Sequence, residues 1–357
     1  MSGLQIPHFG LKRQYKNLKD ELLVATNDAL KDGQLVGGHF TRSFEEWLKH
    51  RCGANYAVTV HSGTQALEII ARYKKKKHHV TMAGNPKIRV PNLTYPATLN
   101  AFLTAGWDVE LVDTDKYGIT KFDTKAEAGI YDCLVGLYGM QPWEFARIEN
   151  SYGVIVDGAQ HWLVCNKQIG SGMAISFDPT KNLNASGNGG AIVTNDEHLY
   201  LYASHYKDNF KPYFESQGTN TKMSELDCAH LLVRAKYINE WQNRRKEISK
   251  YWCDRFKELP INCLSDVSVP HAHQKFVIYT SDRNSLHTHM LVNGINTKIS
   301  YEYVLGDLLV AKDLIKPDML SNSVMLSRGV LGLPIYPELT DNEVNYIADK
   351  IDEFFGE

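Results

Sequence analysis

The chain has 357 residues, of which 43% are hydrophobic and 22% are charged, and these values are ordinary for a globular protein. A chain of this length can bury a large core and is expected to divide into two domains. The formal net charge is -2. This balance argues against nucleic-acid binding, because contact with a phosphate backbone requires a clear basic excess on some face.

The cysteines and the N-terminus exclude further classes of protein. The six cysteines include no C-x-x-C pair and show no regular framework, so neither a metal site nor a disulfide scaffold is predicted. The N-terminal region is charged and has no signal-type apolar segment, and no apolar run approaches 18 residues. We therefore expect a cytoplasmic protein with reduced thiols and no membrane contact.

Short apolar strands alternate with helices along the first two thirds of the chain. Strands are predicted over residues 56–60, 88–91, 109–112, 133–137, 154–156, 173–177 and 191–194, and helices over residues 11–30, 66–73 and through Phe44 and Leu99. The basic run of residues 74–79 lies between a helix and a strand and is predicted to be a solvated loop. Such alternation is typical of a mostly parallel sheet between helices.

A smaller unit of mixed helices and strands is predicted to follow. Residues 223–256 form a long helical pattern, and we place the boundary within it near Ile238, which gives domains of residues 1–237 and 238–357. The second domain is predicted to hold a strand at 275–279, a helix at 285–292 and a strand at 295–299. A last helix starts at Thr340, where Glu343 completes a capping box.

The junction between the first strand and its helix has the character of an anion site. Ser62 with Gln65 three residues later predicts a capping box, and Gly63 allows a ligand to approach the backbone closely. A helix N-terminus of this kind can bind a phosphate. A well-capped helix without a ligand explains the same residues.

Asp157 and Lys181 follow neighbouring predicted strands. Asp157 ends the run of residues 154–156, and Lys181 follows residues 173–177 after the turn Asp178-Pro179-Thr180. Open α/β sheets bind their ligands at the carboxyl ends of such strands. An amine for a Schiff base and an acid for the pyridinium nitrogen are what pyridoxal phosphate requires. A loop lysine and a capping aspartate are the simpler interpretation of either residue alone.

Seven ordered motifs together resemble those of one family over nearly the whole chain. They read HSGTQALEI from His61, VPNLTYPATLNAF from Val90, VDGAQH from Val156, SFDPTKNL from Ser176, GNGGAIVTND from Gly187, GTNTKMSELD from Gly218 and LGLPIYPELTDNEV from Leu331. The chain thus resembles the DegT/StrS family of pyridoxal-phosphate-dependent sugar aminotransferases. The resemblance implies the aspartate aminotransferase fold, type I, with a large domain built on a mostly parallel seven-stranded sheet and a small α+β domain.

The resemblance also implies roles for individual residues. Lys181 becomes the Schiff-base lysine and Asp157 the partner of the pyridinium nitrogen. The other implied cofactor contacts are Gly63, Thr64 and Ser176 for the phosphate, Tyr95 for stacking on the ring, Gln160 near the phenolic oxygen, and Asn220 from the other subunit of a homodimer with shared active sites. The implied reaction moves an amino group from an amino acid such as glutamate to a keto sugar, expected to be nucleotide-linked.

Departures from the family pattern fall on the substrate side and leave alternatives open. Lys222 stands where arginine is usual, Asn188 interrupts a glycine loop, and Ser300 replaces a common histidine. One alternative is a sugar dehydratase that uses pyridoxamine phosphate, although such relatives carry histidine in place of Lys181. Another is a cofactor-binding or regulatory relative without turnover. By analogy of fold alone, Arg328 is a candidate clamp for the donor carboxylate, and an exposed surface arginine explains it equally well.

Overall fold

The computed structural model describes residues 4–120, 129–142, 153–165, 167, 169–214, 216–265, 269–314 and 321–356. The helices are α1 (Leu11–Asp32), α2 (His39–Cys52), α3 (Gly63–Thr81), α4 (Pro96–Thr104), α5 (Glu197–Tyr206), α6 (Glu225–Ala235), α7 (Ile238–Arg255), α8 (Arg283–Val292), α9 (Ser321–Gly329) and α10 (Asp341–Gly356). The strands are β1 (Tyr56–Val60), β2 (Lys87–Pro91), β3 (Asp108–Val112), β4 (Ile130–Val135), β5 (Val154–Asp157), β6 (Met173–Ser176), β7 (Gly190–Thr194), β8 (Asn262–Cys263), β9 (Phe276–Tyr279) and β10 (Val330–Leu333).

The first seven strands form one sheet in the order β1-β7-β6-β5-β4-β2-β3. Strands β2 to β6 run parallel, whereas β7 runs antiparallel to both β6 and β1. The predicted mostly parallel, seven-stranded sheet is therefore confirmed. Helices cover both faces, with α1, α2 and α6 packed on one face and α3, α4 and α5 on the other. Burial on both sides explains why these strands are continuous apolar runs.

The lysine-rich run of residues 74–79 is helical, so the predicted loop is wrong. Helix α3 continues to Thr81, and Lys74 is only 1% exposed. Lysine is a good helix former, and each side chain finds an acceptor or an aromatic ring nearby. Lys75 donates to the Gly106 carbonyl, and Lys77 lies 3.7 Å from the Asp196 carboxylate. The run therefore extends a packed helix instead of forming a solvated loop.

The long helical pattern of residues 223–256 is interrupted. Helix α6 ends at Ala235 and α7 begins at Ile238, so that Lys236 and Tyr237 join two separate helices. Both helices are amphipathic, and an uninterrupted apolar pattern conceals a break of two residues.

A second, three-stranded antiparallel sheet in the order β10-β9-β8 packs with α7, α8 and α10 into what we call the C-terminal layer. The predicted strand at 295–299 is wrong, because this segment is extended but makes only single bridges, from Ile295 to Ile6 and from Lys298 to Gly332. The predicted capping box of α10 is confirmed. Thr340 Oγ1 accepts from the Glu343 N–H at 3.3 Å, and Glu343 Oε2 accepts from the Thr340 N–H at 3.0 Å.

None of the described helices is both long enough and apolar enough to span a membrane. Within the same residues, no cluster of histidine, cysteine and acidic side chains could hold a metal ion. Four cysteines, at positions 52, 133, 165 and 228, are buried thiols outside any disulfide.

Candidate active site

A cavity of about 660 Å³ opens at the carboxyl ends of β5 and β6, between the large sheet and the C-terminal layer. Seven of the eight site residues predicted from the sequence line it, and these are Gly63, Thr64, Tyr95, Asp157, Gln160, Ser176 and Lys181. They come from four separate stretches of the chain, at residues 63–64, 95, 157–160 and 176–181. The topology of the sheet therefore brings together residues that the sequence scatters over more than a hundred positions.

Asp157 is the last residue of β5, and both of its carboxylate oxygens are held. Oδ2 accepts from Thr98 Oγ1 at 2.8 Å and Oδ1 accepts from the Ala159 N–H at 3.1 Å. Burial raises the pKa of the Asp157 carboxyl, while these two hydrogen bonds and the nearby Lys181 ammonium act in the opposite direction. The carboxylate is thus rigidly oriented and would be further stabilised by a cationic N–H in the cavity.

Lys181 follows β6 on a tight turn. Its backbone N–H donates to the Asp178 carbonyl at 2.9 Å, and the Thr180 N–H donates to Asp178 Oδ1 at 2.9 Å. Burial lowers the pKa of the Lys181 ammonium, although the Asp157 and Asp178 carboxylates act to raise it. A larger neutral fraction makes the amine a better nucleophile at neutral pH.

The turn that carries Lys181 is also clamped by residues 272–274, the segment that leads into β9. Gln274 Nε2 donates to the Thr180 carbonyl at 3.0 Å, and Asn182 Nδ2 donates to the Ala272 carbonyl at 2.7 Å. These bonds flank the lysine on both sides. The backbone at Lys181 is therefore fixed by residues nearly a hundred positions further along the chain.

Helix α3 presents its N-terminus to the same cavity. Ser62 is the N-cap, and its Oγ accepts from the Gln65 N–H at 3.2 Å. The side chain of Gln65 bonds to Glu68 at 3.0 Å and not to Ser62, so only half of the predicted capping box forms. Among the described residues, the N–H groups of Gly63 and Thr64 have no hydrogen-bond acceptor. Free N–H groups at a helix N-terminus favour an anion.

Close backbone packing shapes this anion site. A Cβ atom on Gly63 would lie 2.7 Å from Ser176 Cβ, and one on Gly190 would lie 2.2 Å from the carbonyl carbon of Ser62. Glycine is therefore required at both positions for the start of α3 to pack this closely against Ser176 and β7. The N–H groups of α3 and the Ser176 hydroxyl form a cradle whose size and donors fit the phosphate of pyridoxal phosphate.

Gln160 and two tyrosines line the cavity beyond Asp157. Gln160 Oε1 accepts from the Tyr138 N–H at 2.8 Å, which leaves Nε2 directed toward the Tyr301 hydroxyl at 3.5 Å. Tyr95 is 59% exposed, and its ring centre lies 6.0 Å from that of Tyr301. An exposed aromatic face beside Asp157 suits stacking on a flat heterocycle.

Lys275, Lys298 and His8 also line the cavity, and sequence reasoning did not identify them as site residues. The sequence predicts Lys275 as the first residue of a strand and Lys298 as a residue within one. One feature of the sequence indicates a site residue here, namely the lysine directly before the apolar run Phe276–Tyr279. A buried strand rarely begins with a charged residue that has no partner nearby.

Asn220 and two other candidates lie outside the lining of the cavity. Asn220 is exposed and pairs with Asp208 through an isolated bridge. The Lys222 ammonium is bonded to the Asp208 carboxylate. Arg328, near the end of α9, is exposed. The chain by itself therefore gives Lys222 and Arg328 no contact with the cavity.

Comparison with known proteins agrees with this architecture. The chain is 25% identical to a pleiotropic regulatory protein of Geobacillus stearothermophilus, covering 99% of both chains. It is 28% identical to the dTDP-3-amino-3,6-dideoxy-alpha-D-galactopyranose transaminase of Aneurinibacillus thermoaerophilus, covering 98% of this chain and 99% of that protein. The crystal structure of S. venezuelae DesV in complex with a ketimine intermediate superposes with a TM-score of 0.90 at 24% identity, covering 99% of both chains.

The sequence profile of the DegT/DnrJ/EryC1/StrS aminotransferase family matches residues 16–132 and 144–352, and thus most of the chain. The predicted fold class is confirmed by the sheet order and by the solved relatives of the same shape. The chain therefore belongs to the DegT/DnrJ/EryC1/StrS aminotransferase family.

Proposed function

We propose that this aminotransferase uses pyridoxal phosphate to move an amino group from an amino acid, with glutamate as the expected donor, to a keto sugar carried on a nucleotide. One observation carries the proposal: Lys181 and Asp157 line the same cavity as the N-terminus of α3. The transaminase of Aneurinibacillus thermoaerophilus, similar over its whole length and named for a dTDP-linked amino sugar, supports the nucleotide sugar as the substrate class.

The residues of the cavity divide the work of holding the cofactor. Gly63, Thr64 and Ser176 would bind its phosphate, Asp157 would keep its ring nitrogen protonated, and Lys181 Nζ would bond to its aldehyde carbon. When bound, pyridoxal phosphate supplies an electron sink that stabilises negative charge on the carbon next to the reacting nitrogen. Tyr95 would cover the ring, and Gln160 Nε2 would donate to the phenolic oxygen.

Lys181 has a second role as the proton carrier of the reaction. Its Nζ can accept the proton that leaves the α-carbon of the amino donor, and it can later return a proton to the sugar carbon that gains nitrogen. The lowered pKa of this ammonium increases the neutral fraction that accepts the proton. The turn clamped by Gln274 and Asn182 holds the amine in place between these two transfers.

A regulatory role without turnover is the second candidate, favoured by the similarity to a pleiotropic regulatory protein. Both candidates predict bound cofactor, and turnover separates them. The purified protein is loaded with pyridoxal phosphate, incubated with glutamate and a panel of nucleotide keto sugars, and followed by absorbance and by product mass. An aminated sugar with equimolar 2-oxoglutarate supports the enzyme, whereas bound cofactor without product from any pair supports the regulator.

We further propose that the active unit is a homodimer in which Asn220 reaches the cofactor phosphate of the partner subunit. Asn220 is exposed and does not line the cavity of its own chain. Tyr213 and Phe214, a few residues before Asn220 in the sequence, are exposed aromatic side chains, and Leu23 and Val24 on α1 are exposed aliphatic side chains. Exposed apolar groups of this size favour contact with a second protein surface, and two-fold symmetry would complete both sites at once.

A mixing experiment tests the shared site. Inactive Lys181→Ala chains are combined with inactive Asn220→Ala chains, unfolded mildly and reassociated. Shared sites predict recovery of about a quarter of the wild-type sites, because half of the dimers are mixed and each has one intact site. The matched control combines Lys181→Ala with Asp157→Asn, which fall in the same site and should recover nothing. Equal absence of activity in both mixtures contradicts the shared site.

Two further parts of the proposal concern the whole chain. We propose that it divides near Ile238 into domains of residues 1–237 and 238–357, and the break between α6 and α7 supports this position. We also propose a cytoplasmic location, which the buried thiols and a nucleotide-linked substrate support. Limited proteolysis and cell fractionation test these two statements.

A further inference from the structure

We propose that Lys275 and Lys298 form a carboxylate-binding pair on the wall of the cavity made by the C-terminal layer. The carboxylate belongs either to the amino donor or to an acidic sugar, and the experiment below distinguishes the two. This inference rests on the proposed function, since it names the chemistry of what that cavity accepts.

Lys275 is held in the cavity by its own backbone. Its N–H donates to the Tyr138 carbonyl at 3.1 Å, and its neighbour Gln274 donates to the Thr180 carbonyl at 3.0 Å, one residue before Lys181. The Lys275 ammonium lies 4.7 Å from the centre of the Tyr301 ring. This side chain is therefore directed toward the reacting lysine and not toward solvent.

Lys298 approaches the same wall from an extended segment. Its backbone exchanges two hydrogen bonds with Gly332 of β10, at 3.0 and 2.7 Å. Its ammonium lies 4.8 Å from the centre of the Phe9 ring, and both residues line the cavity. Two cations thus enter one wall from two different elements.

Within the described part of the chain, each of the two ammonium groups lies over an aromatic ring, and neither is paired with a carboxylate. No carboxylate there lies within 4 Å of the Lys275 or Lys298 ammonium, and neither ammonium makes a side-chain hydrogen bond. The acidic residues of the cavity are already engaged, since Asp157 accepts from Thr98 and Asp178 accepts from Thr180. Lys275 is half-buried, and an ammonium withdrawn from water without a counter-charge is unfavourable. The exposed Lys298 adds a second positive charge beside it. An anionic ligand supplies the missing charge.

The chemistry of the pair suits a carboxylate. The phosphate of the proposed cofactor is already assigned to the cradle at the start of α3. The two lysines are therefore available to bind a second anion. Each ammonium can donate to one carboxylate oxygen as a mobile point charge. An acidic amino donor or a sugar with a carboxylate both carry this group, whereas a neutral sugar does not.

The charges around Lys275 predict that binding is coupled to proton uptake. Burial, then the neighbouring Lys181 and Lys298, lower the pKa of Lys275 to about 7. His8, beside them, has its pKa lowered to about 4 by burial, so its ring is neutral at pH 7. Burial raises the pKa of the Tyr301 phenol, which is neutral too. A bound carboxylate favours the ammonium and raises the pKa of Lys275.

Proton uptake can be measured without any turnover. The cofactor-loaded enzyme is titrated with glutarate, a dicarboxylate without an amino group, in two buffers of different ionisation enthalpy. We expect net proton uptake on binding that is larger at pH 8 than at pH 6, because Lys275 is more often neutral in the free enzyme at the higher pH. The affinity should fall as the pH rises above the pKa of free Lys275, by up to about tenfold per pH unit, because Lys275 must gain a proton in the complex.

Three variants and one pair of nucleotides identify the binding group. Lys275→Met should weaken glutarate binding roughly 10- to 100-fold and abolish the proton uptake, whereas Lys275→Arg should bind without uptake because arginine stays charged. Lys250→Met, an exposed lysine on α7, should match wild type in both respects. The second arm compares UDP-glucuronate with UDP-glucose, which differ by one carboxylate.

Each outcome has a definite meaning. Loss of affinity in Lys275→Met confined to glutarate assigns the pair to the amino donor, and loss confined to UDP-glucuronate assigns it to an acidic sugar. Unchanged affinities for both carboxylates, or an equal loss for UDP-glucose, overturn the proposal. Failure to retain pyridoxal phosphate in the wild-type protein would instead refute the proposed function, and absorbance reveals that before any titration.

Discussion

The two walls of the cavity differ in how their polar groups are satisfied. On the sheet side, Asp157 has a donor on each oxygen and the α3 N-terminus is packed against Ser176 by two glycines. On the side of the C-terminal layer, Lys275 and Lys298 have no counter-charge among the described residues. Apart from the N–H groups at the start of α3, which have no acceptor in that part of the chain, the polar groups of the first wall are satisfied within the chain, whereas the second wall has two ammonium groups without a counter-charge there. We expect this contrast to separate a wall that holds the proposed cofactor from a wall that selects the substrate.

The largest effect is expected from Lys181→Ala. Loss of the only proposed proton carrier and covalent anchor should reduce transamination by at least about 10⁴-fold, while the melting temperature should stay close to that of wild type. Borohydride reduction followed by peptide mass spectrometry checks the anchor, and Lys250→Ala is the control. A reduced cofactor found on another lysine, Lys275 in particular, would exchange the roles assigned to the two walls.

Asp157→Asn should have the next largest effect. An amide keeps the shape and can still accept from Thr98, but it cannot hold a proton on the ring nitrogen. Turnover should fall about 100- to 1,000-fold, with cofactor content reduced far less, because the phosphate contacts remain. Asp132→Asn, in β4 and paired with Arg89, is the control for removing a carboxylate from the same sheet. A glutamate half-reaction at the wild-type rate would remove Asp157 from the cofactor wall.

Gly63→Ala tests the packing of the phosphate cradle. The new methyl group would lie 2.7 Å from Ser176 Cβ, so either the helix or Ser176 must shift. Such overpacking costs about 1 to 3 kcal/mol, which corresponds to roughly 5- to 150-fold weaker cofactor binding. Gly187→Ala, whose Cβ meets nothing closer than Asp227 Oδ1 at 3.9 Å, should leave binding unchanged. Equal cofactor affinities for the two variants would contradict a cradle at α3.

The smallest effect concerns the ion pair that joins α1 to α10 of the C-terminal layer. Arg13 on α1 donates to both oxygens of Glu343 at 2.7 and 2.5 Å, and this contact lowers the pKa of Glu343 below its usual 4.5. Glu343→Gln keeps the cap of α10 but loses the charge, so we expect a loss of about 1 kcal/mol in the free energy of unfolding at pH 7.

The pH dependence of this loss has a definite sign. Because the pKa of Glu343 is depressed in the folded state, its stabilisation is present above pH 4.5 and is lost as the pH falls through the folded value. Denaturant curves at pH 7 and pH 3 should therefore differ for wild type more than for the variant. Glu353→Gln, whose partner Lys350 is at the surface, serves as the control and should show no measurable change. A difference that persists at pH 3 would assign the loss to packing and not to charge.

The same contrast marks what the sequence can predict. Asp157 and Lys181 follow short apolar strands directly, and the capping serine and glycine at 62 and 63 lie within four consecutive residues. Local patterns of this kind are sufficient to predict site residues, because the topology of a parallel sheet places the ends of its strands together. The first wall was therefore predicted residue by residue from patterns and from the family resemblance.

The second wall depends on contacts that no local pattern encodes. Lys275 enters the cavity because of hydrogen bonds to Tyr138 and Thr180 from its own segment, more than 90 positions away in each case. Long-range contacts also explain why the loop predicted at residues 74–79 is wrong, because the burial of Lys74 depends on groups far along the chain. The strand predicted at residues 295–299 is wrong for a related reason. The pattern of apolar residues does not show whether a neighbouring strand is long enough to pair with this segment.

The clamp around Lys181 restricts how the cavity can open. Hinge rotation of the C-terminal layer away from the sheet would break the bonds from Gln274 to Thr180 and from Asn182 to Ala272, at about 1 kcal/mol each, and would displace the lysine itself. The cavity therefore cannot open by rigid-body rotation of the C-terminal layer and keep the Lys181 amine aligned at the same time. We expect substrates to enter without a hinge movement of the C-terminal layer, so that turnover is insensitive to solvent viscosity.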